Sequence, residues 1–173
     1  MRALSFWKTV TLDQSNLLES LTSLLSEHKI QYCVIGGQAV NAYVEPLVSL
    51  DLDMVIAVDQ IEQAKALFKR HFTVERFAHS INLSLPGSDL RVQIQTDPRY
   101  FSFLQGISWR EILGLKLPVA RLEDVLQGKL WSVMDPKRRA SKRQKDLADI
   151  SRILEAHPKL RSQMPKEILK RLL

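Results

Sequence analysis

Residues 34–58 read VIGGQAVNAYVEPLVSLDLDMVIAV, and this stretch decides the fold. Its second half, SLDLDMVIAV at 49–58, is apolar enough for a central strand, yet it carries Asp51 and Asp53. Buried carboxylates are costly unless they are paired or hold a metal. Two residues apart on a strand, both side chains leave from the same face. They can then converge on one hard cation such as Mg²⁺ or Mn²⁺, which takes oxygen ligands. Upstream, QYCVI at 31–35 ends at Gly36 and Gly37, as a strand entering a tight turn does. Glycine lets backbone N–H groups approach an anion, and a helix starting at Gln38 adds a favourable dipole. Together these features describe a phosphate cradle beside a metal site. The bland alternative is a tight turn with two solvated edge aspartates.

Working outward, 12–30 has leucines at helical spacing (Leu17, Leu18, Leu21, Leu24, Leu25) and predicts a helix. QAVNAYV at 38–44 predicts a short helix that closes before Pro46. Residues 59–72 predict a helix with Asp59 as its N-cap. TVERFA, INLSL and LRVQIQT alternate around the Pro86-Gly87 break and predict antiparallel strands. Residues 99–111 predict a helix or irregular segment, followed by a short strand, KLPVA. Two amphipathic helices follow, at 121–134 and 141–157, joined by a polar link, and 165–173 predicts a last helix. The expected fold class is α+β: a small mixed sheet with packed helices. With 173 residues and no long linker, one domain is expected, its core at about 30–120 and its helical part at about 121–173.

Composition narrows the classes. Hydrophobic residues make up 45% and charged residues 25%, as in an ordinary globular chain. No apolar run is long enough to span a membrane and the N-terminus has no signal-peptide core, so a cytoplasmic protein is expected. The lone Cys33 sits in an apolar run and reads as a small buried hydrophobe. The net charge is +6, but it is uneven: residues 136–173 hold twelve Lys and Arg against four Asp and Glu. That surplus suggests an anionic partner, RNA or phosphate, with the basic segment 136–145 as the grip. A merely solvated helical tail is the alternative.

The motifs GGQAV and DLDMVI, with the later segments RVQIQTDPRY, LPVARLEDVLQGKLW and KRQKDLADISRIL, resemble the nucleotidyltransferase superfamily. More narrowly they resemble the bacterial branch that includes the abortive-infection (AbiE-type) toxins. The resemblance runs over residues 32–154. It implies a nucleoside triphosphate bound at Gly36, Gly37, Gln38 and Ser49, a Mg²⁺ or Mn²⁺ on Asp51 and Asp53, and a lysine and an aspartate lining the nucleotide site. The last two fall on Lys129 and Asp146, where the lysine can neutralise triphosphate charge. Without the resemblance both would read as ordinary helix surface. The sequence departs from the superfamily in three places. Leu47 and Ser49 stand where an Arg and a Thr are usual, and Gln93 stands where the third carboxylate is expected. A glutamine cannot act as a base. Asp89 and Asp97 share its strand parity but lie roughly 13 Å away along a regular strand. Three readings follow: a nucleotidyltransferase acting on a hydroxyl of RNA, protein or a small molecule, weakened or inactive through Gln93; a nucleotide- or RNA-binding module without chemistry; and a toxin-like protein held by a partner antitoxin.

Overall fold

The computed structural model describes residues 3–172. A seven-stranded mixed sheet forms its centre, in the order β3-β4-β5-β2-β1-β7-β6. The strands are β1 (Tyr32–Ile35), β2 (Asp51–Ile56), β3 (Thr73–Arg76), β4 (Ser80–Ser84), β5 (Arg91–Gln95), β6 (Ser108–Ile112) and β7 (Leu115–Val119). The helices are α1 (Ala3–Val10), α2 (Leu17–Glu27), α3 (Gly36–Asn41), α4 (Ile61–His71), α5 (Leu122–Met134), α6 (Ala140–Ala156) and α7 (Lys166–Leu169). The mixed sheet with packed helices agrees with the expected class. No helix among the described residues is long and apolar enough to cross a membrane.

Strand β2 lies at the middle of the sheet because it can be buried on both sides. Leu52, Met54 and Val55 have no solvent exposure and Ile56 has 1%. Only Asp51 and Asp53 interrupt this, at the end of the strand that opens on the cleft. β2 runs antiparallel to β1 and parallel to β5. Cys33 is fully buried in β1, as expected, and burial pushes its thiol up to about 12. Under the sheet, the leucine stripe of α2 enters the core through Leu17, Leu21 and Leu25, each fully buried. The Asp13 carboxylate accepts the Leu17 N–H and so meets one of the open donors of that helix.

Several local expectations change. Asp59 does not cap α4: it sits in a 3₁₀ turn at Val58–Gln60, and the cap position, Gln60, makes no side-chain cap bond. The helix after β1 begins at Gly36, with no separate turn before Gln38, and it ends at Asn41, before the expected Val44. The 99–111 segment divides into a 3₁₀ stretch at Pro98–Gly106 and the strand β6. β6 pairs with β7 through a two-residue turn at Leu113 and Gly114, both with positive φ. Helix α1 was not expected. The last helix was expected to reach Leu173, which lies outside the described residues, and α7 covers only four of them.

Candidate active site

A cleft of about 320 Å³ opens where the ends of β1, β2 and β5 meet α5 and α6. Asp51 and Asp53 lie on its floor. The parallel pairing of β2 with β5 sets Asp51 beside Arg91 and Asp53 beside Gln93. Gln93 therefore shares the cleft with both aspartates, while Leu90, Val92 and Ile94 of opposite parity are buried in the core. The glycine pair has a steric reason to be there. Gly36 has φ +68, and a Cβ on it would stand 2.2 Å from Asp53 Oδ2. No side chain other than hydrogen fits between α3 and that carboxylate.

The two aspartates differ in what holds them. Asp51 Oδ1 is 2.8 Å from Arg91 Nε, and its Oδ2 is 3.3 Å from Lys142 Nζ. Asp53 forms no ion pair of that kind among the described residues. Burial pushes its carboxyl up to about 6, against the pull of the Lys129 charge and with a further push from Asp51. A carboxylate left without a close partner next to one held by displaceable cations is a set of hard oxygens that suits one divalent ion. Among the described residues no group of three or more Asp, Glu, His or Cys gathers as around a metal. Phosphate oxygens or water would have to complete the shell. Asp89 and Asp97 do not supply the third carboxylate. Asp89 is at the surface with its N–H on the Thr11 carbonyl, and Asp97 is engaged by Arg99 at 2.7 Å.

Lys129 and Asp146 are both buried, and the reason is helical spacing. Lys129 lies on the face of α5 that also buries Val125, Leu126 and Val133. Asp146 and Asp149 lie on the face of α6 that buries Ile150 and Ile153. The two helices pack face to face, so the charges must pair. Lys129 Nζ is 2.9 Å from Asp146 Oδ1 and 2.6 Å from Asp149 Oδ2. Burial alone would lower the lysine's pKa, but the two aspartates outweigh it and hold it above its ordinary value. Arg138 pairs with the other oxygen of Asp146 at 2.7 Å, and Arg152 with Asp149 Oδ1 at 2.9 Å. Arg152 also donates to Asn41 Oδ1 and to the Glu45 carbonyl, which ties the loop before β2 to α6. Lys129 is thus a buried member of an ion network, and it and Asp146 both line the cleft, where the resemblance puts them. The sequence reading also missed Asp149, which the spacing Asp146, Asp149, Ile150, Ile153 on one helical face signals.

The remaining candidates separate. Ser49 lines the cleft, and its Oγ accepts the Asp51 N–H at 3.3 Å and a Lys145 ammonium hydrogen at 3.5 Å. Gln38 is 2% exposed and does not line the cleft; its amide donates to the Ser49 carbonyl at 3.0 Å and so steadies the entry to β2. Leu47, at the place of the usual arginine, is exposed. In the basic segment, Arg138, Lys142 and Lys145 line the cleft, and Arg143 donates to the carbonyls of Asp135 and Arg138. Half of the six expected RNA-gripping cations therefore face the carboxylates.

No family model and no curated protein sequence matches the chain at a significant level. Solved structures do. The antibiotic-resistance factor ANT(2'')-Ia aligns with TM-score 0.57 at 12% identity, covering 91% of this chain and 95% of its own. The lincosamide antibiotic adenylyltransferase LnuA aligns with TM-score 0.53 at 13% identity, over 82% of this chain and 98% of its own. A putative nucleotidyltransferase from Thermotoga maritima aligns with TM-score 0.52 at 17% identity, over 77% and 91%. The chain has the nucleotidyltransferase superfamily fold.

Proposed function

We propose that this chain transfers a nucleotidyl group from a nucleoside triphosphate to a hydroxyl acceptor, with Mg²⁺ or Mn²⁺ held by Asp51 and Asp53. One observation carries the reading. A pair of same-face carboxylates, with Asp53 left unpaired, shares one cleft with Lys142, Lys145 and Arg138, on a fold whose solved relatives are nucleotidyltransferases. The ion would supply charge neutralisation and a template for in-line displacement. The protein's own groups do the rest. Lys142 and Lys145 take the charge of the triphosphate. Lys142, the looser partner of Asp51 at 3.3 Å, would turn to the triphosphate, while Arg91 stays on Asp51 Oδ1 at 2.8 Å. Gly36 and Gly37 keep the α3 backbone close to the phosphates. Asp146 and Asp149 hold Lys129 beside the floor, where its charge favours ionised Asp53. The acceptor oxygen bonds to the α-phosphorus, the bond to the bridging oxygen breaks, pyrophosphate leaves, and the hydroxyl proton passes to water.

Calorimetry of the Asp51→Asn variant tests this. The reading expects metal-dependent ATP or CTP affinity to fall at least tenfold; unchanged affinity in the variant contradicts it.

Gln93 favours a second reading, a nucleotide-binding module with weakened or absent chemistry, because an amide neither carries charge nor accepts the acceptor's proton. Replacing Gln93 by Asp sets a second carboxylate beside Asp53 on the neighbouring strand. Directly opposed like charges cost roughly 1 kcal/mol, or about 2–4 °C in a chain of this size. We expect Gln93→Asp to melt lower by that amount without metal, and to show a larger rise than wild type when Mg²⁺ and nucleotide are added. Gain of transfer activity in this variant favours a weakened enzyme, and no gain favours the binding module.

A further inference from the structure

The two walls of the cleft differ in chemistry. The wall from α6 and the segment before it is cationic, through Arg138, Lys142 and Lys145. The opposite wall is the sheet. There Asp53, Gln93 and Asn82 lie in one register row across β2, β5 and β4, and Gln95 pairs with Ser80 in the next row. Strand alternation puts Ser80, Asn82 and Ser84 on the same face as Gln93 and Gln95, while Ile81, Leu83, Val92 and Ile94 fill the core. These five polar residues carry no charge, and three of them, Asn82, Gln93 and Gln95, line the cleft beside Arg91, whose charge is paired with Asp51. One of them is unsatisfied: Asn82 lines the cleft, and its Oδ1 is buried without a hydrogen-bond partner among the described residues. A buried oxygen of this kind calls for an explanation, and a ligand donor is the direct one.

In-line displacement puts the leaving and attacking oxygens on opposite sides of the phosphorus. The leaving pyrophosphate is anionic and settles against the lysines. The acceptor must then enter from the sheet side. We propose that the acceptor is an uncharged small molecule bearing several hydroxyls, received over β4 and β5, with Asn82 as a residue that recognises it. The proposal rests on the nucleotidyl-transfer reading above and names the acceptor class for it. Each hydroxyl both donates and accepts, and side-chain amides and serines offer both partners. RNA fits this wall poorly. Its phosphates would meet no free cation there, since Arg91, which lines the cleft from β5, is spent on Asp51. The transfer step is the one already written: the acceptor hydroxyl oxygen bonds to the α-phosphorus, pyrophosphate leaves with the electron pair of the broken bond, and the proton goes to water.

The test uses the full chain with Mg²⁺ and an α,β-methylene triphosphate. Calorimetry first reads nucleotide binding. Saturation-transfer NMR then reads three uncharged probes, methyl glucoside, myo-inositol and ribose, with and without a short single-stranded RNA. We expect probe signals from wild type that fall severalfold in Asn82→Ala, with nucleotide affinity within about twofold of wild type. Asn82→Ala should melt no lower than wild type, because the lost oxygen bonds nothing in the fold. Three results overturn the proposal: no probe signal, a signal indifferent to Asn82, or RNA displacing the probes by binding that wall. A loss of nucleotide affinity in Asn82→Ala would also overturn it, by moving that residue to the nucleotide half. Failure of the nucleotidyl-transfer reading shows separately, as absence of nucleotide binding to wild type, while the probe signals on nucleotide-free protein still read Asn82.

Discussion

Replacing Lys129 by Met is expected to destabilise the protein by about 3–5 kcal/mol, the cost of breaking a buried ion pair by removing one partner. Asp146 is 2% exposed and Asp149 4% exposed, and Lys129 contacts both. Without the ammonium, Arg138 and Arg152 each still pair one of them, but two carboxylate oxygens lose their nearest cation. Adding Asp149→Leu to Lys129→Met should recover part of the loss, because a charge that is not buried needs no partner. Denaturant melts of the single and double variants read this directly. A surface lysine serving only as a triphosphate counter-ion would instead leave stability within about 0.5 kcal/mol of wild type. Such a result would mean that the ion network around Lys129 does not hold α5 and α6 together.

Asp53→Asn should separate stability from binding. The folded-state pKa of Asp53 is pushed up to about 6, above the ordinary carboxylate value near 3.9. For an acid raised in this way, the native state holds the proton more tightly than the unfolded chain. The contribution to stability is full below pH ~3.9 and is lost as pH rises through about 6. Asparagine mimics the protonated form. The variant should therefore match wild type near pH 3.5 and exceed it above pH 7, by on the order of 2–3 kcal/mol at about 1.4 kcal/mol per unit. Its metal-dependent nucleotide affinity should fall by about a hundredfold or more. In wild type the proton competes with the ion, so that affinity should climb with pH up to about 6 and then level off. A metal-free variant less stable than wild type at pH 8 would mean that Asp53 is a structural anion held by Lys129, and would remove it from the metal site.

Much of the candidate site's geometry was legible because it is local. Two aspartates in an apolar strand must share a face, and a glycine pair at the end of the preceding strand must serve a close approach. What lay out of reach were relations between elements. Register is set by pairing, so the rows Asp51–Arg91 and Asp53–Gln93–Asn82 appear only once β2, β5 and β4 are side by side. The hairpin of β6 and β7 was hidden because Leu113 sits at φ 52, where Asn or Asp would ordinarily announce such a turn. The burial of Lys129 depends on which face α6 turns toward α5, and no single helix contains that information. The orientation of the basic segment was out of reach for the same reason. Charge counting finds the cations, but only packing shows that Arg138, Lys142 and Lys145 point toward the carboxylates.

The most direct test of the account is label transfer from two differently labelled triphosphates. The protein, Mg²⁺ or Mn²⁺ and a mixture of hydroxyl acceptors are incubated with nucleotide carrying ³²P at the α-phosphorus, and in parallel with nucleotide carrying it at the γ-phosphorus. Nucleotidyl transfer puts the α label on the acceptor and the γ label in pyrophosphate, and both signals should vanish in Asp51→Asn and Asp53→Asn. Appearance of the γ label on the acceptor, or α-label transfer that survives both substitutions, would contradict the account.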